Sequence, residues 1–176
     1  MRNRGPWIKT FTGKKFHFLD PMPDDICIED IAHALAFQSR FGGHVKQFYS
    51  VAEHSINVSK IAPRGWEMSG LLHDASEAYL VDIPRPIKRT LNLEGYRTIE
   101  TKVQGVIDFK FDTEHCGVKP EDNIILAHEI WQLMEGPEEY EVAKPEKLIE
   151  LACWSPTGAE VAFLERFKEL TSQCVS

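Results

Sequence analysis

Leu71-Leu72-His73-Asp74-Ala75-Ser76-Glu77-Ala78-Tyr79-Leu80, with Asp82 just beyond, sets a His and an Asp side by side at the end of an apolar run. A Glu follows three residues after the Asp. As a helix, the stretch crowds His73, Asp74 and Glu77 onto one face, because residues three and four apart are surface neighbours. Leu71, Leu72 and Leu80 bind the same segment to a core. Two metal-ligand types and a proton carrier on a packed helix exceed what a solvent-facing surface needs, so chemistry is expected here.

Outward from that segment, the pattern is helical almost everywhere. Ile28, Ile31, Ala32, Leu35 and Ala36 recur at helical spacing from Cys27 to about Gln38, and Gly42 and Gly43 break the run. A second helix is expected over Val51–Ile61 and a third, the central one, over Trp66–Tyr79. Asp82-Ile83-Pro84-Arg85-Pro86-Ile87-Lys88 cannot be an ordinary helix interior, because each proline removes a donor and restricts the residue before it. Further helices are expected over Leu93–Phe109, Lys119 to about Met134, and Gly158–Thr171, with Pro120 well placed in a first turn. Glu135–Pro145 reads as a charged loop. The N-terminal extension suggests a small hairpin, Trp7–Thr10 with Lys15–Leu19, turning at Thr12-Gly13-Lys14. The expected fold is an all-α helical bundle, one domain over 1–176 with its motif core at about 28–134.

The 176 residues suffice for a core without staples. No run approaches the roughly 18 apolar residues of a membrane span, and the basic start Met1-Arg2-Asn3-Arg4 leads into no signal-peptide run. A formal charge of −7 argues against a nucleic-acid polymer as partner. Cys27, Cys116, Cys153 and Cys174 are widely spaced and read as reduced thiols of a cytoplasmic protein.

His54, the His73-Asp74 pair and Asp122 sit on three different expected helices. Together they offer two imidazoles and two carboxylates, a mixed set suited to a divalent transition metal such as Mn, Fe, Co, Ni or Zn. Each residue also has a plain reading. A first-turn His caps or faces solvent, an adjacent His-Asp pair arises by chance, and an Asp at a helix start serves the dipole. Spacing alone leaves both readings open.

Val51-Ala52-Glu53-His54-Ser55, then Leu71 to Glu77, then Asp82 to Lys88, then Lys119-Pro120-Glu121-Asp122, in this order and spacing, resemble the HD-domain phosphohydrolase superfamily. Within it the chain is similar to the 5′-deoxynucleotidases and the phage-type dATP triphosphohydrolases. The resemblance implies that His54, His73, Asp74 and Asp122 bind the metal. It implies that Glu77 orders the attacking water or relays its proton, and that Asp82 lies near the nucleotide. Arg40, Lys88 and Lys119 become phosphate partners, with a second divalent ion accompanying the phosphates. Phe41 stands where the deoxynucleotidases commonly carry a Trp against the sugar, and Gly43 stands where a larger side chain shapes the base pocket. His44 lies near the motif, but the Glu-His-Ser context favours His54; His17, His33, His115 and His128 read as structural or exposed, and Tyr79 and Trp131 as core.

The implied function is metal-dependent hydrolysis of 2′-deoxynucleotides, with dATP split into deoxyadenosine and triphosphate. The alternatives are a 5′-deoxynucleotidase releasing orthophosphate from monophosphates and, from another class, a non-catalytic metal- or nucleotide-binding protein. A cyclic-nucleotide phosphodiesterase would need further histidine motifs that the sequence lacks. Relatives in that superfamily assemble as dimers or hexamers, and the apolar C-terminal helix offers such an interface.

Overall fold

The computed structural model describes residues 3–173; Met1, Arg2 and Cys174 lie outside them. The chain is an all-α bundle carrying a two-stranded antiparallel hairpin, β1 (Ile8–Lys9) and β2 (Lys15–Phe16), shorter than its sequence pattern suggests. The hairpin is pinned to the bundle where the Thr12 backbone N–H and hydroxyl both donate to Asp30, at 2.7 and 3.0 Å. The helices are α1 (Ile28–Phe37), α2 (Val51–Ile61), α3 (Glu67–Leu72), α4 (Glu77–Leu80), α5 (Arg85–Lys88), α6 (Glu94–Phe111), α7 (Lys119–Leu133) and α8 (Pro156–Gln173).

The hub of the bundle is α2, which packs against α1, α3, α7 and α8. Ser50 caps it by accepting from the Glu53 N–H at 3.0 Å, and every residue from Val51 to Ser59 is buried. Such all-round burial marks a helix in the middle of a domain. Gly70 lets α3 approach: a β-carbon there would lie 2.8 Å from the Ser59 α-carbon. The main core joins Ile31, Leu35, Ile56, Leu71, Val103, Ile107 and Phe163. Ala159, Phe163 and Leu170 of α8 are buried in that core against α1 and α2, while Val161 stays exposed. No described helix is long and apolar enough to cross a membrane.

One continuous helix over Trp66–Tyr79 does not form. α3 ends at Leu72 and α4 begins at Glu77. The cause is Gln104 of α6, whose side-chain amide enters the ladder. Its Nε2 donates to the Leu72 carbonyl and its Oε1 accepts from the Ser76 N–H, both at 2.9 Å. Those two groups would otherwise bond each other as an i→i+4 pair, and a side chain inserted there kinks a helix. Around the break the bonds become i→i+3, as from the Ala75 N–H to Leu72 O and from the Glu77 N–H to Asp74 O, both at 3.0 Å. The proline segment 82–88 resolves into a loop and a single turn, α5, with Pro86 in its first turn.

Candidate metal centre

His54 comes from the first turn of α2, His73 and Asp74 from the α3–α4 break, and Asp122 from the first turn of α7. His54 is fully buried, contrary to the surface habit of a first-turn histidine. Its Nε2 lies 3.3 Å from His73 Nε2, 3.7 Å from Asp74 Oδ2 and 3.3 Å from Asp122 Oδ1. His73 Nε2 lies 3.2 Å from Asp74 Oδ2. Adjacent residues on a regular α-helix diverge by about 100°, so the Gln104 break is what lets His73 and Asp74 address one point.

The far nitrogens show which lone pairs are free. His73 Nδ1 faces the Gly70 carbonyl at 2.8 Å, and a carbonyl only accepts, so Nδ1 carries the hydrogen. His54 Nδ1 faces Glu129 Oε1 at 2.6 Å and donates in the same way. Two neutral imidazoles so arranged turn bare Nε2 lone pairs toward each other with carboxylate oxygens beside them. In that tautomer four acceptors face one another, an arrangement that could accommodate a cation. His54, His73 and Asp74 can together hold a metal ion, their ligand atoms all lying within 4.8 Å of one another. Without one, burial and Arg40 depress the His54 pKa, but Glu129 and Asp122 outweigh them and lift it to about 9. Burial disfavours the Asp74 carboxylate, yet His73 and His54 hold it well below the usual range. Asp122 behaves likewise through His54, His73 and Arg85. Its Oδ2 accepts from Arg85 and Lys119, each at 2.5 Å.

Glu129 was not anticipated from the sequence. It is fully buried, fixes the tautomer of His54 through Oε1 and holds Arg40 Nη2 at 3.1 Å through Oε2. Such a carboxylate behind a ligating His orients the ring and raises its basicity. The signal was available: Glu129 lies seven residues after Asp122, two turns along the same face of α7.

A cavity of about 240 Å³ opens beside the cluster. Arg40, Lys88 and Lys119 line it as expected, joined by Arg85, Arg89 and Arg97, against the acids Asp74, Glu77, Asp82 and Asp122. Neither Phe41 nor Gly43 lines it. They sit on a left-handed turn after Arg40, with φ of 56° and 82°, and His44 beyond them is exposed. Asp82 lines the cavity and takes no part in capping the Pro84 turn. Lys88 is not free: its Nζ donates to Glu77 Oε1 at 3.0 Å and Glu100 Oε1 at 2.7 Å. Burial, with Asp74 and Asp82 alongside, pushes the Glu77 carboxyl well above its usual range, only partly offset by Lys88 and Arg40. Its buried Oε2 has no hydrogen-bond partner. Among the other histidines, His33 stacks between Phe11 and Phe37, His17 Nδ1 bonds the Gly5 carbonyl, and His128 Nδ1 accepts from the Ile149 N–H. Tyr79 is core, stacked on Phe16 at 4.0 Å, and half-buried Trp131 donates to the Val142 carbonyl at 3.1 Å.

The fold and cluster define an all-α protein with a mixed histidine–carboxylate cluster, His54, His73 and Asp74, that could hold a metal ion, next to a cleft lined by six basic side chains. No family model matches the chain. It is 38% identical to the uncharacterized protein YfdR of Escherichia coli K12 over 94% of this chain and 96% of that one. It is 37% identical to an uncharacterized protein of Rhodobacter capsulatus over 60% of this chain and 58% of that one. The chain belongs to the YfdR family.

Proposed function

We propose that this protein is a metal-dependent phosphohydrolase of the HD-domain type acting on 2′-deoxynucleotides, with dATP as its preferred substrate. The observation that carries the reading is the pair of facing Nε2 atoms, 3.3 Å apart, beside Asp74 and Asp122, two carboxylates that line a cavity together with six basic side chains. The donor set fits a divalent transition ion held by His54, His73, Asp74 and Asp122. Such an ion supplies Lewis acidity toward a phosphoryl oxygen and a water acidic enough to attack near neutral pH. Arg40, clamped by Glu129, presents a fixed planar fork to a phosphate oxyanion. Arg85 and Lys119, which donate to Asp122 Oδ2, stand where they could also reach the phosphates. Glu77, buried and with one oxygen unpartnered, orders the attacking water and takes its proton.

Six bases favour a chain of phosphates and hence a triphosphate. The small cavity, and the pairing of Lys88 with Glu77 and Glu100, favour a monophosphate as the second reading. The test is to load the protein with Co²⁺ or Mn²⁺ and incubate it with every dNTP and dNMP, resolving products by chromatography. Deoxyadenosine and intact triphosphate from dATP are expected. Orthophosphate from several monophosphates alone makes it a 5′-deoxynucleotidase. No turnover across the panel, with metal bound, overturns the hydrolase reading in favour of a metal- or nucleotide-binding protein.

A further inference from the structure

A second chain of titratable groups lies one wall away from the metal centre. His115 Nδ1 sits 2.5 Å from Asp108 Oδ2, and His115 Nε2 sits 3.3 Å from Cys116 Sγ. With the Nδ1 hydrogen given to the carboxylate, Nε2 turns its lone pair to the thiol. This is the acid–imidazole–nucleophile order in which a base orients toward a nucleophile while a third group orients the base. The chain is fixed at both ends. Asp108 also accepts from Thr113 Oγ1 at 2.9 Å and Gln104 Nε2 at 3.2 Å. The turn 115–118 is held against α3, where the Glu114 N–H donates to Ser69 Oγ and the Trp66 indole covers Gly117 so closely that a β-carbon there would overlap it at 1.8 Å. Cys116 is exposed, and it lines a cavity of about 200 Å³ shared with His73, Asp74, Lys119 and Asp122.

The other two described thiols lack this arrangement. Cys27 Sγ donates to Glu29 Oε2 at 2.6 Å, a carboxylate partner rather than an imidazole. Cys153 is half-buried, and burial together with Glu53 raises its pKa.

We propose that Cys116, served by His115 and Asp108, is a modification site for hydroperoxides at the mouth of the metal centre. The thiol proton passes to His115 Nε2 and the sulfur attacks one peroxide oxygen. The S–O bond forms as the O–O bond breaks, and sulfur gives up two electrons. The leaving oxygen takes the proton from His115 and departs as water or an alcohol, leaving cysteine sulfenic acid. The new oxygen stands in the cavity shared with Asp122 and His73. None of this depends on the phosphohydrolase reading.

The test exposes the full chain to hydrogen peroxide at pH 7.5, traps sulfenic acid with dimedone, and maps each cysteine by peptide mass spectrometry. Cys116 should label about tenfold faster than Cys27 or Cys153, a modest share of the roughly 10²–10⁴-fold that a well-positioned base typically provides. His115→Asn should bring Cys116 down to their rate while theirs stay unchanged; Asp108→Asn should slow it several-fold. A variant that opens the fold raises all three rates together and is thereby distinguished; Asp108→Asn then carries the comparison. Equal labelling of Cys116 and Cys27 in the wild type overturns the proposal, as does a Cys116 rate indifferent to His115→Asn in a folded protein.

Discussion

His54 and His115 are set up alike and end differently. Each gives its Nδ1 hydrogen to a carboxylate, Glu129 or Asp108, and each aims Nε2 at a partner about 3.3 Å away. At His54, fully buried, the partner is another lone pair, so the arrangement is incomplete without a cation. At His115, on the rim, the partner is an S–H, so it is complete as it stands and reactive instead. One residue type in one tautomer serves ion binding or proton transfer according to what faces its second nitrogen. Gln104 lies between the two, breaking α3 for the first and bonding Asp108 for the second.

The sharpest way to break the comparison is at the acceptor cluster. Asp74→Asn removes a charged ligand and puts an amide donor beside two imidazoles. Metal affinity measured by titration calorimetry should fall by more than about 100-fold, exceeding the effect of losing an outer-shell partner. Unchanged affinity would remove Asp74 from the site.

Gln104→Leu should touch both regions. It lets the Leu72 carbonyl and Ser76 N–H bond each other, straightening the helix and turning Asp74 away from His73. The expected result is a roughly 10–100-fold weaker metal and a loss of about 1–3 kcal/mol in chemical denaturation, from a buried network left partly unmade. A variant with wild-type metal affinity would show that the break has another cause.

The smallest effect belongs to the rim. Asp108 holds the His115 pKa above its ordinary 6.5, burial opposing, and His115 lowers Asp108 below 3.8 against its own burial. The raised His stabilises fully below pH 6.5 and loses that contribution as pH climbs through its folded value. The lowered Asp contributes above pH 3.8 and loses it on acidification. The pair is partly exposed, which keeps its worth small. Melting curves of wild type and Asp108→Asn should therefore differ by about 1–3 °C near pH 6, and the gap should narrow as pH rises through the folded His115 value. Parallel curves at every pH would mean that the pair carries no charge.

The cluster that could hold a metal, His54 with His73 and Asp74, was legible in the sequence because these residues stand in short motifs whose neighbours are equally distinctive. The helical class was legible from periodicity. The break after Leu72 was not, since nothing from Leu71 to Leu80 is Gly or Pro and its cause is an amide 32 residues away in sequence. Propensity cannot report a side chain arriving from another helix. Lys88 lines the cleft, and its engagement with Glu77 and Glu100 is a tertiary fact that no local pattern reports. The Cys116–His115 pairing was passed over because each residue alone looks ordinary.

Glu53, the neighbour of His54, points away from the metal centre and accepts from the backbone N–H groups of Cys153 and Trp154, both at 2.9 Å. Those partners are made about a hundred residues later during synthesis. Until they arrive, α2 carries a carboxylate with nothing to receive it and an apolar side awaiting Phe163, so an emerging chain holds the motif residues well before it can hold their geometry. Long-range closure of this kind slows folding. The candidate metal cluster is therefore among the last parts of the molecule to mature, and a ribosome stalled before residue 150 would display its residues without their geometry.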